Sequence, residues 1–157
     1  MSRSSVKLEL AAVSNDEGAF RLDNQIGYLL RRAYQRSSAN LTARIAIYRL
    51  TPPQVSVLLR LQEQGRISQN YLGRLVAMEP ANIRDVVLRL KKRRLIRSET
   101  DSIDRRLINL KLTETGNLLA EKLKPLSEES VAETLKSVSM SERELLRALL
   151  RRIANQP

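Results

Sequence analysis

The chain has 157 residues, with 28 Lys and Arg against 17 Asp and Glu, and so carries a formal net charge of +11. It has no histidine and no cysteine, which excludes a Ser-His-Asp triad, a histidine general base, thiol catalysis, disulfides and His- or Cys-ligated zinc. The five glycines stand singly and form no phosphate-cradling loop, so the expectation is a protein that is not an enzyme and needs no cofactor.

Apolar residues make up 42% of the chain but only one is Phe and none is Trp, so the core has to be aliphatic and the elements mainly helical. The first 18 residues hold no apolar run long enough for a signal peptide, and no later stretch approaches the ~20 apolar residues of a membrane span. A cytoplasmic protein without a membrane partner is expected. The positive charge is concentrated: residues 21–60 and 66–106 each sum to +6, while 1–20 sum to −1 and 107–157 to +1. An excess gathered in the middle of a chain favours a polyanionic partner over a merely solvated surface.

Residues 1–20 read as an N-terminal arm, with a short apolar stretch between Val6 and Val13. From Leu22 the positions Leu22, Ile26, Leu29, Leu30 and Ala33 form a helical stripe that resumes at Leu41, Ile45 and Tyr48. A helix of this length, ~40 Å at 1.5 Å per residue, needs a second subunit to cover its apolar face. Residues 21–50 are therefore assigned to dimerisation. Thr51-Pro52-Pro53-Gln54 is a capping box with proline at the first helical position, and Val55, Leu58, Leu59 and Gln62 follow up to Gly65. Ser68 caps a second short helix with Tyr71, Leu72, Leu75 and Val76 as its inner face.

Glu79-Pro80 opens a third helix in which Ile83, Val86, Val87 and Leu90 make one apolar face. Its other sides carry Pro80, Ala81, Asn82, Arg84, Asp85, Arg89 and Lys92. Small and hydrogen-bonding residues followed by cations suit a helix that enters a DNA groove, with Asn82 matched to adenine and Arg84 to guanine. Leu88 interrupts this polar side. Lys91-Lys92-Arg93-Arg94 then reads as a phosphate-facing helix end. Two short strands follow, around 95–100 and 107–112, with Asp104, Arg105 and Arg106 at the tip between them.

Short helix, short helix, groove-entering helix and hairpin make a winged helix-turn-helix over residues 51–112. Residues 113–157 read as C-terminal dimerisation helices. Thr113 caps the first of these, Leu118, Leu119 and Leu123 lie along it, and Pro125 is expected to break or bend it. Ser141-Glu142-Arg143-Glu144 is read as the capping box of the last, with Leu145, Leu146, Leu149, Leu150 and Ile153 along it. The fold class is thus mainly α with a small β-hairpin wing.

In this order the elements resemble the MarR family of bacterial transcription regulators, over roughly residues 22–154. The resemblance is carried by Leu50-Thr51-Pro52-Pro53-Gln54, Ser68-Gln69 with Leu72 and Leu75, Leu90 followed by Leu95-Ile96, Asp104-Arg105-Arg106, and Leu112-Thr113-Glu114-Thr115-Gly116. It implies a homodimer built from the first and last helices, binding a pseudo-palindromic operator in double-stranded DNA. The Glu79 helix would enter the major groove, Ser68, Gln69 and Arg105 would add contacts, and Arg106 would reach the minor groove from the wing tip, with Asp104 orienting the two arginines. The chain departs from the family in having Ala77 and Arg94 where glycines are common.

The resemblance further implies a small anionic aromatic effector, an aromatic acid or its coenzyme A thioester, that loosens DNA binding. Arg32 and Arg36, one turn apart beside the first apolar stripe, are candidates to hold it. The same two arginines equally suit intersubunit ion pairs or phosphate contacts. The expected function is therefore a ligand-released, sequence-specific transcriptional regulator acting by repression, and the alternative is a nonspecific nucleoid-type or RNA-binding winged helix.

Overall fold

The computed structural model describes residues 20–101 and 108–155, and the chain divides into two units, residues 1–35 and 36–157. In the first unit Leu22–Asn24 form a 3-10 turn, and helix α1, Ile26–Ile45, starts after Gln25. Gln25 is extended (φ −77°, ψ 126°), so the helical stripe expected without interruption from Leu22 is broken there. Leu22, Ile26, Leu29 and Leu30 are all exposed.

In the second unit α1 ends at the fully buried Ile45, and the 3-10 turn Ala46–Tyr48 leads to Arg49, in the left-handed region at φ 49°. Helix α2, Pro52–Gln64, opens on the predicted capping box, where Gln54 Oε1 accepts from the Thr51 N–H at 2.9 Å. Gly65 (φ 76°) closes it, its N–H donating to the Leu61 carbonyl at 2.8 Å. Strand β1, Arg66–Ser68, and helix α3, Gln69–Leu75, come next, with Ser68 Oγ accepting from the Tyr71 N–H at 3.3 Å. Helix α4, Pro80–Lys92, is followed by strands β2, Ile96–Thr100, and β3, Ile108–Leu112.

Two short strands were expected and three form a sheet, antiparallel and in the order β1-β3-β2. Ile67 lies opposite Leu110, and Ile96 opposite Leu112, which puts four buried aliphatic side chains on the face covered by the helices. Ile108, alternating correctly with these, is exposed because it lies beyond the edge of the core. Tyr71, expected on the inner face of α3, is likewise exposed, and Leu72 and Gly73 hold that helix instead.

Both turns of the helix-turn-helix region end in the same hydrogen-bond pattern. After α3 the Met78 N–H bonds the Gly73 carbonyl at 2.9 Å and the Ala77 N–H bonds that of Arg74 at 3.2 Å. After α4 the Leu95 N–H bonds the Leu90 carbonyl at 3.0 Å and the Arg94 N–H bonds that of Lys91 at 2.8 Å. These are Schellman caps, which require a left-handed residue, and Ala77 (φ 51°) and Arg94 (φ 57°) supply it. They are the two positions where the sequence replaces glycine. A left-handed L-residue costs about 1–2 kcal/mol, partly offset by the lower chain entropy of a non-glycine. Ala77→Gly is therefore expected to stabilise the protein by about 0.5–1 kcal/mol in urea unfolding; a loss of stability would show that the turn is not strained.

Helix α5, Glu114–Thr134, is capped by Thr113, whose Oγ1 accepts from the Gly116 N–H at 3.0 Å and donates to the Arg94 carbonyl at 2.8 Å. Of the break or bend expected at Pro125, the break does not occur, and the helix is continuous through it. Proline removes the donor for the Glu121 carbonyl, but Glu121 and Pro125 both face solvent, where water takes that bond. Helix α6, Met140–Ala154, is capped by Ser139 with Glu142 as its reciprocal partner, two residues before the predicted cap at Ser141. The register is set by Ser139 Oγ and its N–H, both donating to Glu142 Oε2, at 2.7 and 2.8 Å. These bonds hold the Glu142 carboxyl below its usual pKa.

The core is aliphatic, as the composition requires. Leu58 and Leu61 of α2, Leu72 of α3, Ile83 and Leu90 of α4, Leu110 of β3 and Leu123 of α5 are all fully or almost fully buried. Among the described residues no helix is long and apolar enough to cross a membrane.

Candidate nucleic-acid interface

Helix α4 is fixed from one side only. Ile83, Val87 and Leu90 lie in the core at 1%, 3% and 0% exposure, with Val86 partly buried beside them. Ile83 also packs its Cγ2 where a Cβ on Gly73 would stand, at 3.2 Å, so the small residue brings α3 and α4 together. The opposite side of α4 presents Pro80, Ala81, Asn82, Arg84, Asp85, Arg89 and Lys92, every one exposed. Among the described residues no ion pair engages Arg84, Asp85, Arg89 or Lys92. Their donors and charges are open to an external partner.

The cationic run after this face divides by use. Lys91 Nζ donates to Ser98 Oγ on β2. The Arg93 guanidinium bonds the Tyr48 carbonyl at 2.8 Å and the Arg49 carbonyl at 2.9 Å, tying the end of α4 to the turn after α1. Lys92 and Arg94 are exposed, and the Arg94 backbone forms the left-handed turn. Lys91 and Arg93, of the run expected to face phosphates as a block, thus also make bonds within the chain, Arg93 because the loop after α1 offers carbonyls within its reach.

Ser68 and Gln69 are half-buried at the start of α3, and the Ser68 hydroxyl oxygen is engaged as the helix cap. One turn on, Arg74 lies over the exposed Tyr71 ring, 5.5 Å from its centroid. Tyr71 was assigned to the core on spacing alone, so this stacked cation was missed; a Tyr and an Arg three apart on one short helix are the signal that could have found it.

Asp104, Arg105 and Arg106 lie outside the described residues. At the root of the wing Asp101 joins all three strands: its Oδ2 accepts from Asn109 Nδ2 at 3.0 Å and from Arg66 at 3.5 Å. No sequence pattern marks Asp101, since its role depends on β1 lying beside β3.

The two arginines proposed to hold an effector belong to different units. Arg32 lies over the Tyr28 ring, 5.8 Å from its centroid. Arg36 is one of the cations that hold the Glu133 carboxyl below its usual pKa, after the hydrogen bond and charge of Lys136 and the charge of Arg44. In the second unit a groove of about 390 Å³ runs between α6 and the end of α5, lined by Val131, Leu135, Leu146 and Leu150 with Arg147 and Arg151. Arg143 closes one end by bonding the Leu135 and Val138 carbonyls at 2.6 and 2.9 Å. Among the described residues no cluster of three or more acidic groups is placed to hold a metal ion.

Comparison with known proteins gives the fold a lineage. Residues 50–108 match the model of the MarR family. The chain is 33% identical over 138 residues to the HTH-type transcriptional repressor NicR of Pseudomonas putida, covering 88% of this chain and 87% of that one. A probable transcriptional regulator from Pseudomonas aeruginosa is 42% identical, with TM-score 0.80 over 85% of this chain and 99% of its own. Bordetella bronchiseptica BpsR, whose structure describes regulation of its DNA binding by 6-hydroxynicotinic acid, is 34% identical, with TM-score 0.84 over 89% of this chain and 100% of its own. With a helix-turn-helix, a three-stranded antiparallel sheet and an outward cationic face on α4, matched along most of its length by these regulators, the chain belongs to the MarR family of winged-helix transcription regulators.

Proposed function

We propose that this protein is a homodimeric repressor that binds a pseudo-palindromic operator and is released by a small anionic aromatic ligand. The observation that carries the DNA-binding part is the face of α4, where Asn82, Arg84, Arg89 and Lys92 are exposed while other cations nearby are bound internally. Asn82 and Arg84, near the start of the helix, would meet base edges; Arg89 and Lys92 would meet phosphates. Ser68 and Gln69 would add contacts from α3, together with Pro80, Ala81 and Asp85 from the first turns of α4. Repression is supported by the similarity to NicR.

A second copy is supported by the apolar residues left uncovered on α6: Leu145, Leu149 and Ile153 are 60%, 43% and 52% exposed. Light scattering should give about twice the mass of one chain. The ligand is proposed from BpsR, so a hydroxylated pyridine carboxylate is the first compound to titrate; an aryl-coenzyme A thioester, the other class the family resemblance implies, is the second. A ligand cation among Arg32 and Arg36, replaced singly by Ala, would blunt the release without weakening the operator complex; a purely structural one would weaken the complex or the fold.

The test is selection from a random DNA pool at physiological salt. A two-fold symmetric motif with half-sites about 10 bp apart supports the reading. Retention that falls with salt and shows no motif would replace it with the nonspecific winged helix, whose binding rests on counterion release alone. From the wing, Arg106→Ala is expected to weaken operator binding about tenfold and to flatten any A·T preference beside the half-sites; unchanged affinity in a fluorescence titration would remove Arg106 from the interface.

A further inference from the structure

One residue on the outward face of α4 does not fit a purely polar surface. Leu88 is 50% exposed and contributes nothing to the buried core, although three of its helical neighbours, Val86, Val87 and Leu90, do. Helical spacing places it in one row with Ala81, Arg84, Asp85 and Lys92, which precede or follow it by seven, four, three and four residues. A leucine among charged side chains, midway along the helix, half exposed and outside the buried cluster, leaves much of its apolar surface open to an external partner. A single side chain is also too small to dock another protein, and the cations around it favour a polyanion.

The major groove offers one apolar feature, the 5-methyl group of thymine. We propose that Leu88 is a specificity-determining residue that packs on a thymine methyl in each half-site, one turn beyond the base contact of Arg84. The inference rests on the DNA-binding reading given above. Arg84 and Lys92 hold the helix to the duplex on either side of Leu88, and exclusion of water from the Leu88–methyl contact makes thymine preferred over cytosine or uracil at that step. Exposing the methyl group again would cost about the transfer free energy of one such group, which corresponds to roughly a fourfold loss of affinity.

The experiment uses the full-length protein and the duplex recovered by its own selection, with each thymine replaced singly by deoxyuridine. At one thymine per half-site, deoxyuridine is expected to weaken wild-type binding about fourfold. Leu88→Ala is expected to bind thymine and uracil at that position equally, while Leu88→Met keeps the preference. Because Leu88 is exposed, both variants should melt with the wild type. The proposal is overturned if no thymine shows a penalty, or if Leu88→Ala retains every penalty the wild type shows. A protein that selects no motif overturns the DNA-recognition reading itself, whereas a motif without this coupling overturns only the role of Leu88.

Discussion

Gly116→Ala is expected to destabilise the protein by about 3 kcal/mol or more, the upper range for overpacking a core, and to lower Tm by about 10 °C at fixed protein concentration. A Cβ at this position would stand 1.9 Å from the Leu95 carbonyl oxygen and 2.9 Å from its carbon. That oxygen is not free to move. It accepts from the Thr113 N–H at 3.0 Å, while the Leu95 N–H closes the cap of α4. An added methyl therefore pushes on the start of α5 and the end of α4 at once. Gly27→Ala is the control: nothing lies within 4 Å of its Cβ position, and alanine is the better helix former. Equal melting temperatures for Gly116→Ala and the wild type would show that the junction does not have this geometry.

The largest effect on DNA binding is expected from Arg84→Ala, and it should differ in kind from that of Lys92→Ala. A guanidinium paired with a guanine edge contributes about 1–3 kcal/mol of discrimination, so Arg84→Ala should weaken operator binding roughly tenfold to a hundredfold and relax the preference at one base pair. Lys92→Ala should weaken operator and unrelated duplex alike and reduce the slope of log K against log salt by about 1. Both are read from titrations of the selected operator and a scrambled duplex at several salt concentrations. If the two substitutions act alike on both duplexes, α4 holds phosphates and does not read bases.

Much of this was legible because the helix period leaves a strong trace. Ile83, Val87 and Leu90 fixed which way α4 faces, and the exposed residues follow from that geometry. The Thr51 and Thr113 caps were legible because a threonine or serine before an apolar run has few other uses. The cap of α6 was misplaced because Ser139 and Ser141 are each followed three residues later by a glutamate, and only the bonds to Glu142 choose between them. Strand β1 was missed because Arg66-Ile67-Ser68 is too short to show alternation; its pairing is set by β3, some forty residues later.

The sequence by itself determined the helices and the two wing strands, their order, the aliphatic core and the concentration of positive charge in the middle of the chain, since these depend on local periodicity, capping and composition. Tertiary structure decided which of several chemically equal groups are available. Lys91, Lys92 and Arg93 are consecutive cations, yet Lys91 is held by Ser98 and Arg93 by two backbone carbonyls, while Lys92 is exposed. It also decided that Tyr71 lies outside and that Asp101 joins three strands. A side chain's availability depends on acceptors brought near it from distant parts of the chain, and no local pattern records those distances.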